Sequence, residues 1–211
     1  IVRQYILDNP EIIAEAIARL RQRERIARDE TQRRARAENA ARIFNNPLTS
    51  EMGNPSGDVT VVEFFDYQCG YCKKVFPTFM KGIESDKNIR GLMKELPILG
   101  PVSRVAARAS MAAERQGKYS EFHAAMMELR GRLTEKRVMR TARDIGLDTE
   151  KLIQNMADPA IDDYLDQTLE LAQALGINGT PAFLFGDQLV PGAVDESRMR
   201  ALIAAARKPK S

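Results

Sequence analysis

The sequence predicts an α/β fold: a buried sheet covered by helices, with a long helical block inside it and a helical stalk ahead of it. Three observations predict this. Val59-Thr60-Val61-Val62-Glu63-Phe64-Phe65 is a nearly continuous apolar run of strand type, as expected of a strand buried on both faces of a parallel or mixed sheet. From Val102 to Leu175 the pattern is helical, punctuated at Gly117, Gly131-Arg132-Leu133-Thr134, Gly146-Leu147-Asp148 and Asp158-Pro159. Up to about Arg42 the chain has no glycine and only Pro10 as a breaker, and it is rich in Arg, Glu, Ala and Gln.

The stalk comes first. Asn9-Pro10-Glu11 reads as a helix start, with Asn9 as cap, Pro10 at the first position and Glu11 in the first turn. Ile6, Ile13, Ile17 and Leu20 then form one apolar stripe. Past Leu20 charge takes over. Glu15–Arg19, Glu24–Arg28, Asp29–Arg33, Glu30–Arg34 and Glu38–Arg42 are acid-before-base pairs at i, i+4, each supporting an isolated helix by ~0.2–0.5 kcal/mol. A surface helix packed on its own domain would need no such self-sufficiency, and seven carboxylates against ten arginines up to Arg42 argue against a nucleic-acid arm. The preferred reading is self-association through residues 1–20, with the charged part as a spacer.

The remaining elements follow in order. Asn45-Asn46-Pro47 and Gly53-Asn54-Pro55-Ser56-Gly57 are turn-rich, with a short edge strand near Ile43–Phe44. After the central strand comes a helix to about Asp86, with Pro77 expected to kink it, and then a strand from Leu92 to Leu99. The helical block ends at Gly176-Ile177-Asn178-Gly179-Thr180-Pro181. Ala182-Phe183-Leu184-Phe185, a turn at Gly186-Asp187 and Gln188-Leu189-Val190 make a hairpin, and a helix from Glu196 to Arg207 closes the chain. The predicted division is 1–43 stalk and linker, 44–99 first part of the sheet domain, 100–175 helical insertion and 176–211 second part.

The chemistry sits at Cys69-Gly70-Tyr71-Cys72, which holds the chain's only two cysteines. A CxxC that follows a strand and opens a helix is a thiol–disulfide redox signature. Unpaired N–H groups at the helix start favour the thiolate, which is the nucleophile. Cys69 is expected to be the exposed attacking sulfur, and Cys72, one turn further in, the resolving one. A structural zinc site would need two more ligands, and the single histidine, His123, lies far off in a segment read as helix surface. A purely structural disulfide across two residues would close too small a loop to stabilise much. Glu63 shares its strand face with Val61 and Phe65, so burial should raise its pKa and suit it to trade a proton with Cys72.

From about Ile43 onward the chain resembles the thioredoxin superfamily, specifically its DsbA-type branch. The motifs are Phe64-Phe65-Asp66-Tyr67-Gln68-Cys69-Gly70-Tyr71-Cys72 and Gly179-Thr180-Pro181-Ala182-Phe183, with a helical stretch between them that a plain thioredoxin does not need. The resemblance implies a thioredoxin fold with an inserted helical domain and a cis-proline loop at Pro181 facing the sulfurs. It also implies substrate contact through Gly70, Tyr71, Thr180 and Pro181, and an acid at Glu63. Two departures stand out. The intervening pair is Gly70-Tyr71 where the type member has Pro-His, which removes one cationic stabiliser of the thiolate. Thr180 is the residue seen in isomerases and reductases rather than the Val of the type oxidase.

With its stalk, the whole chain looks most like the suppressor-of-copper-sensitivity protein C group of trimeric disulfide isomerases. That resemblance implies a periplasmic enzyme, protein substrates with disulfides or thiols, a membrane redox partner that recycles the dithiol, and a trimer. It implies no cofactor. A monomeric dithiol oxidase, or a copper-tolerance protein binding Cu(I) at Cys69 and Cys72, uses the same sulfurs. The rest of the composition is consistent with these readings. At 211 residues there is room for one domain and an appendage, a net charge of +3 gives no case for nucleic acid, and no run is long enough to insert in a membrane. The chain begins at Ile1 rather than Met, as a mature or trimmed product would.

Overall fold

A computed structural model of the chain describes residues 2–208. The described residues divide into two compact units, one up to residue 39 and one from residue 40 onward. The first is helical. Helix α1 spans Val2–Asp8 and α2 spans Glu11–Glu38. The break falls at Asn9-Pro10, but Asn9 does not cap α2 as predicted. Its side-chain amide donates to the Tyr5 carbonyl at 2.9 Å and its backbone N–H to the same atom at 3.0 Å, so Asn9 closes α1. Ile6 therefore lies on a separate helix from Ile13, Ile17 and Leu20. Two of the predicted pairs form within α2, Glu15–Arg19 at 2.5 Å and Glu24–Arg28 at 4.0 Å. No residue of α1 or α2 is buried, and Ile13, Ile17 and Leu20 stay 44–57% exposed.

The second unit is built on a five-stranded sheet, β1 (Ser50–Gly53), β2 (Val59–Phe65), β3 (Ile89–Glu95), β4 (Ala182–Phe185) and β5 (Gln188–Pro191), in spatial order β1-β3-β2-β4-β5. β2 pairs β3 in parallel and β4 antiparallel, and both edge strands are antiparallel to their neighbours. The mixed sheet explains why β2 reads as a continuous apolar run: only Thr60 of its seven residues escapes burial. Helices α4 (Gly70–Ser85) and α10 (Glu196–Ala206) pack on the face carrying Val61, Phe65 and Phe183, with Phe79 and Phe183 rings 6.1 Å apart. Five helices lie between β3 and β4: α5 (Pro101–Glu114), α6 (Tyr119–Glu128), α7 (Glu135–Asp144), α8 (Thr149–Met156) and α9 (Pro159–Ala174).

Two local expectations need correction. Ile43–Phe44 is not an edge strand but the end of a short helix, α3 (Ala40–Phe44). Ile43 is fully buried there, and the Arg42 carbonyl accepts a 2.8 Å bond from the Lys94 ammonium. The edge strand is β1. The strand predicted from Leu92 to Leu99 starts earlier, at Ile89. It ends because Pro97 has no N–H to continue the ladder after the Leu96 N–H meets the Phe65 carbonyl at 2.8 Å. Helix α4 contains Pro77 and runs on through it to Ser85, one residue short of the predicted end. No described helix is long and apolar enough to cross a membrane.

Candidate active site

The loop that joins β2 to α4 is held by one buried side chain. Asp66 accepts the Gln68 N–H (2.7 Å) and the Ser103 hydroxyl (2.7 Å) on one carboxylate oxygen and the Leu99 N–H (2.9 Å) on the other. Its carbonyl takes the Cys69 N–H at 2.9 Å. Sequence reading passed over this residue except as part of a motif. The bonds fix Cys69 as the cap of α4, in extended conformation, with its sulfur accepting the Cys72 N–H at 3.4 Å. A thiol in that place collects the partial positive charge of the helix start.

Across the sheet, the Thr180–Pro181 peptide bond is cis, and the Cys69 thiol donates to the Thr180 carbonyl at 3.1 Å. Residues far apart in sequence thus meet at one sulfur. Cys69 was expected to be exposed, yet only 6% of it is, because this loop lies over it; Cys72 is fully buried. Tyr71, in contrast, is 67% exposed, Gly70 is open and Pro181 is buried.

The electrostatics separate the two sulfurs. The Cys69 pKa is held down to about 5, chiefly by hydrogen bonding from the Cys72 thiol, against the upward push of burial. The Thr180 side chain and the N–H groups of Cys72 and Tyr71 add to the lowering. Burial pushes the Cys72 thiol far up, and hydrogen bonding to Cys69 and the nearby Glu63 charge act in the same direction. Glu63 sits at the centre of β2, paired in register with Met93 and Phe183 and almost completely buried. Neither carboxyl oxygen has a hydrogen-bond partner among the described residues. Burial, then the Cys69 charge, raises its pKa to about 8. At neutral pH the arrangement is a thiolate, a protonated thiol and a protonated carboxyl behind them. That set can attack an external disulfide and hold a proton in reserve.

His123 corrects another expectation. It is not on a helix surface but fully buried beneath the loop, and burial drives its pKa down to about 3. Its Nδ1 lies 2.9 Å from the Tyr67 hydroxyl, which also meets the Ser110 hydroxyl at 2.6 Å and donates to Glu95 at 3.3 Å. The Phe65 ring stands edge-on to it at 4.8 Å and the Tyr119 ring stacks on it at 5.5 Å. The apolar neighbours Phe122, Ala124, Ala125, Met126 and Met127 were the available signal of burial. No group of three or more metal-ligating side chains occurs among the described residues.

Comparison with known proteins places this geometry. A family model described as a DSBA-like thioredoxin domain matches residues 60–204, and one described as the copper resistance protein ScsC N-terminal domain matches residues 1–27. A thioredoxin-like oxidoreductase from Silicibacter pomeroyi is 46% identical, covering 81% of this chain and 98% of its own, with a TM-score of 0.78. BcfH of Salmonella enterica Typhimurium is 28% identical over 98% of this chain and 93% of its own, at 0.81. ScsC of Proteus mirabilis in a transitional conformation is 27% identical over 98% and 93%, at 0.77. The chain spans only about a quarter of the length of the first curated relatives it matches, Na(+)/H(+) antiporter NhaA proteins such as that of Salinispora arenicola (27% identical, 73% of this chain, 24% of that protein). The α/β fold with its helical block and helical N-terminal segment, read from the sequence, agrees with these matches.

Proposed function

Because this chain belongs to the DSBA-like thioredoxin family of thiol–disulfide oxidoreductases, we propose that it isomerises disulfides in secreted or periplasmic proteins, as an assembly that holds several copies of Cys69. Cys69 attacks a substrate disulfide as the thiolate, Cys72 resolves the mixed disulfide when the substrate fails to rearrange, and Glu63 gives or takes the Cys72 proton. Gly70, Tyr71, Thr180 and Pro181 form the surface on which the substrate chain lies. A membrane protein that returns the pair to the dithiol completes the cycle.

The observation that carries the isomerase reading is the stripe of residues 13–20 left uncovered on a helix that buries nothing of its own. It falls within the segment matched to the ScsC N-terminal domain. Burying such a stripe against copies of itself, in a trimer, is the direct way to satisfy it. Sedimentation mass of the full chain tests this. Wild type should be trimeric and the double variant Ile13→Lys, Ile17→Lys monomeric; a monomeric wild type rejects the assembly.

One observation favours a second reading. Stabilising the Cys69 thiolate stabilises the reduced form and so makes the disulfide more oxidising. A monomeric dithiol oxidase would use that property. A third use of the same thiolates, Cu(I) binding, is suggested by the description of the matched N-terminal domain.

A further inference from the structure

Beside Gly70 the surface sinks into a groove of about 520 Å³ whose lining includes Gln68, Gly70, Lys73, Lys74, Arg130 and Arg132. No carboxylate lines it. None of these four cations takes part in an ion pair among the described residues, whereas arginines of α5 and its end do: Arg104 and Arg108 bind Asp162, and Arg115 binds Asp158. The groove cations meet carbonyls instead. The Lys73 ammonium donates to the Met126 and Leu129 carbonyls, both at 2.8 Å, and Arg130 to those of Met127 and Glu128 at 3.2 and 3.1 Å. Arg137 donates to the Arg132 carbonyl at 2.8 Å and so fixes the rim. Such bonds position the charges but do not neutralise them. Burial and the repulsion of Arg130 and Arg137 together lower the Lys73 pKa to about 8.

We propose that this groove receives an acidic stretch of the substrate polypeptide next to the disulfide under attack, so that Cys69 prefers cystines flanked by Asp or Glu. The inference rests on thiol–disulfide exchange at Cys69 as proposed above. An extended peptide advances about 3.3 Å per residue, so residues close to the attacked sulfur reach past Gly70 into the groove. Nothing blocks the way at Gly70, where an added Cβ would meet no atom within 4 Å. In the step itself the Cys69 thiolate attacks one sulfur of the peptide disulfide. The peptide S–S bond breaks, the mixed disulfide forms, and the departing peptide thiolate takes a proton from solvent. The groove takes no part in the electron count. It raises the local concentration of acidic segments and lowers that of basic ones.

The test uses the reduced full chain and three synthetic peptide disulfides of equal length, flanked by Asp, Ser or Lys, with rates compared as ratios within each protein. At low ionic strength the Asp peptide should react about fivefold or more faster than the Ser peptide, and the Lys peptide slower still. High salt should collapse the ratios towards one. So should the double variant Lys74→Gln, Arg132→Gln, whose side chains are exposed and hold no other element in place. An Asp-to-Ser ratio near one in wild type, or one unmoved by salt and by the variant, overturns the acidic preference while leaving exchange intact. Reaction with none of the three peptides overturns the exchange reading itself.

Discussion

The sulfur of Cys69 accepts the backbone N–H of Cys72 at 3.4 Å while Cys72 itself is fully buried, so the two thiols of one motif occupy opposite electrostatic environments. One is drawn towards the thiolate by donors at a helix start. The other is kept protonated by burial in the apolar core behind it and by its hydrogen bond to Cys69. This asymmetry supports the direction proposed for the motif, with Cys69 as the attacking end and Cys72 as the resolving end.

Alkylation should report it. The rate at which iodoacetamide modifies the reduced chain should rise with a midpoint near pH 5 and level off above pH 7, with label on Cys69 alone. In Cys69→Ser, Cys72 should stay unmodified at neutral pH. A midpoint near the ordinary thiol value of 9.0 would remove the basis for a stabilised thiolate.

Glu63 makes a prediction about stability. Unfolded, its carboxyl ionises near its ordinary value of 4.5; folded, only near 8. Between those values the folded chain holds a proton that the unfolded chain has released, so this group's contribution falls as pH rises, by on the order of 3–4 kcal/mol across the window. Cys69 acts with the opposite sign, its folded pKa of about 5 lying below its unfolded value, so its contribution grows with pH. The clean observable is therefore the difference between two chains. Denaturant unfolding of reduced Glu63→Gln should show a more positive dependence of stability on pH between 5 and 8 than wild type. Parallel curves would mean that Glu63 is ionised in the fold.

Tyr67 ties His123, Ser110 and Glu95 together through one hydroxyl. Tyr67→Phe leaves three buried polar groups short of a partner and should cost about 1–3 kcal/mol, seen as a lowered Tm. A loss below about 0.5 kcal/mol would show that buried water replaces the hydroxyl without penalty.

How much of this could be read from the sequence depends on how local its cause is. The place of Cys69 and Cys72 at a helix start and the burial of Glu63 were legible because strand alternation and a CxxC at a helix start act over a few residues. Thr180–Pro181 was legible only through resemblance, since its approach to Cys69 spans the whole helical block. His123 was misread because its burial is decided by Phe65, Tyr67 and Phe76, which other elements bring to it. The groove was invisible for the same reason: Lys73 and the Leu129 carbonyl it binds are 56 residues apart. At Asn9 the residue type was right for a helix boundary, but nothing local says which of two helices its side chain will serve.

Reactivation of a scrambled multi-disulfide protein by the reduced full chain tests the central claim most directly. Wild type should restore the native pairing catalytically. Ile13→Lys, Ile17→Lys should lose most of that activity while its Cys69 alkylates at the wild-type rate. Failure of wild type to reactivate the substrate, or equal activity from the monomeric variant, would contradict isomerisation by an assembly of Cys69 sites.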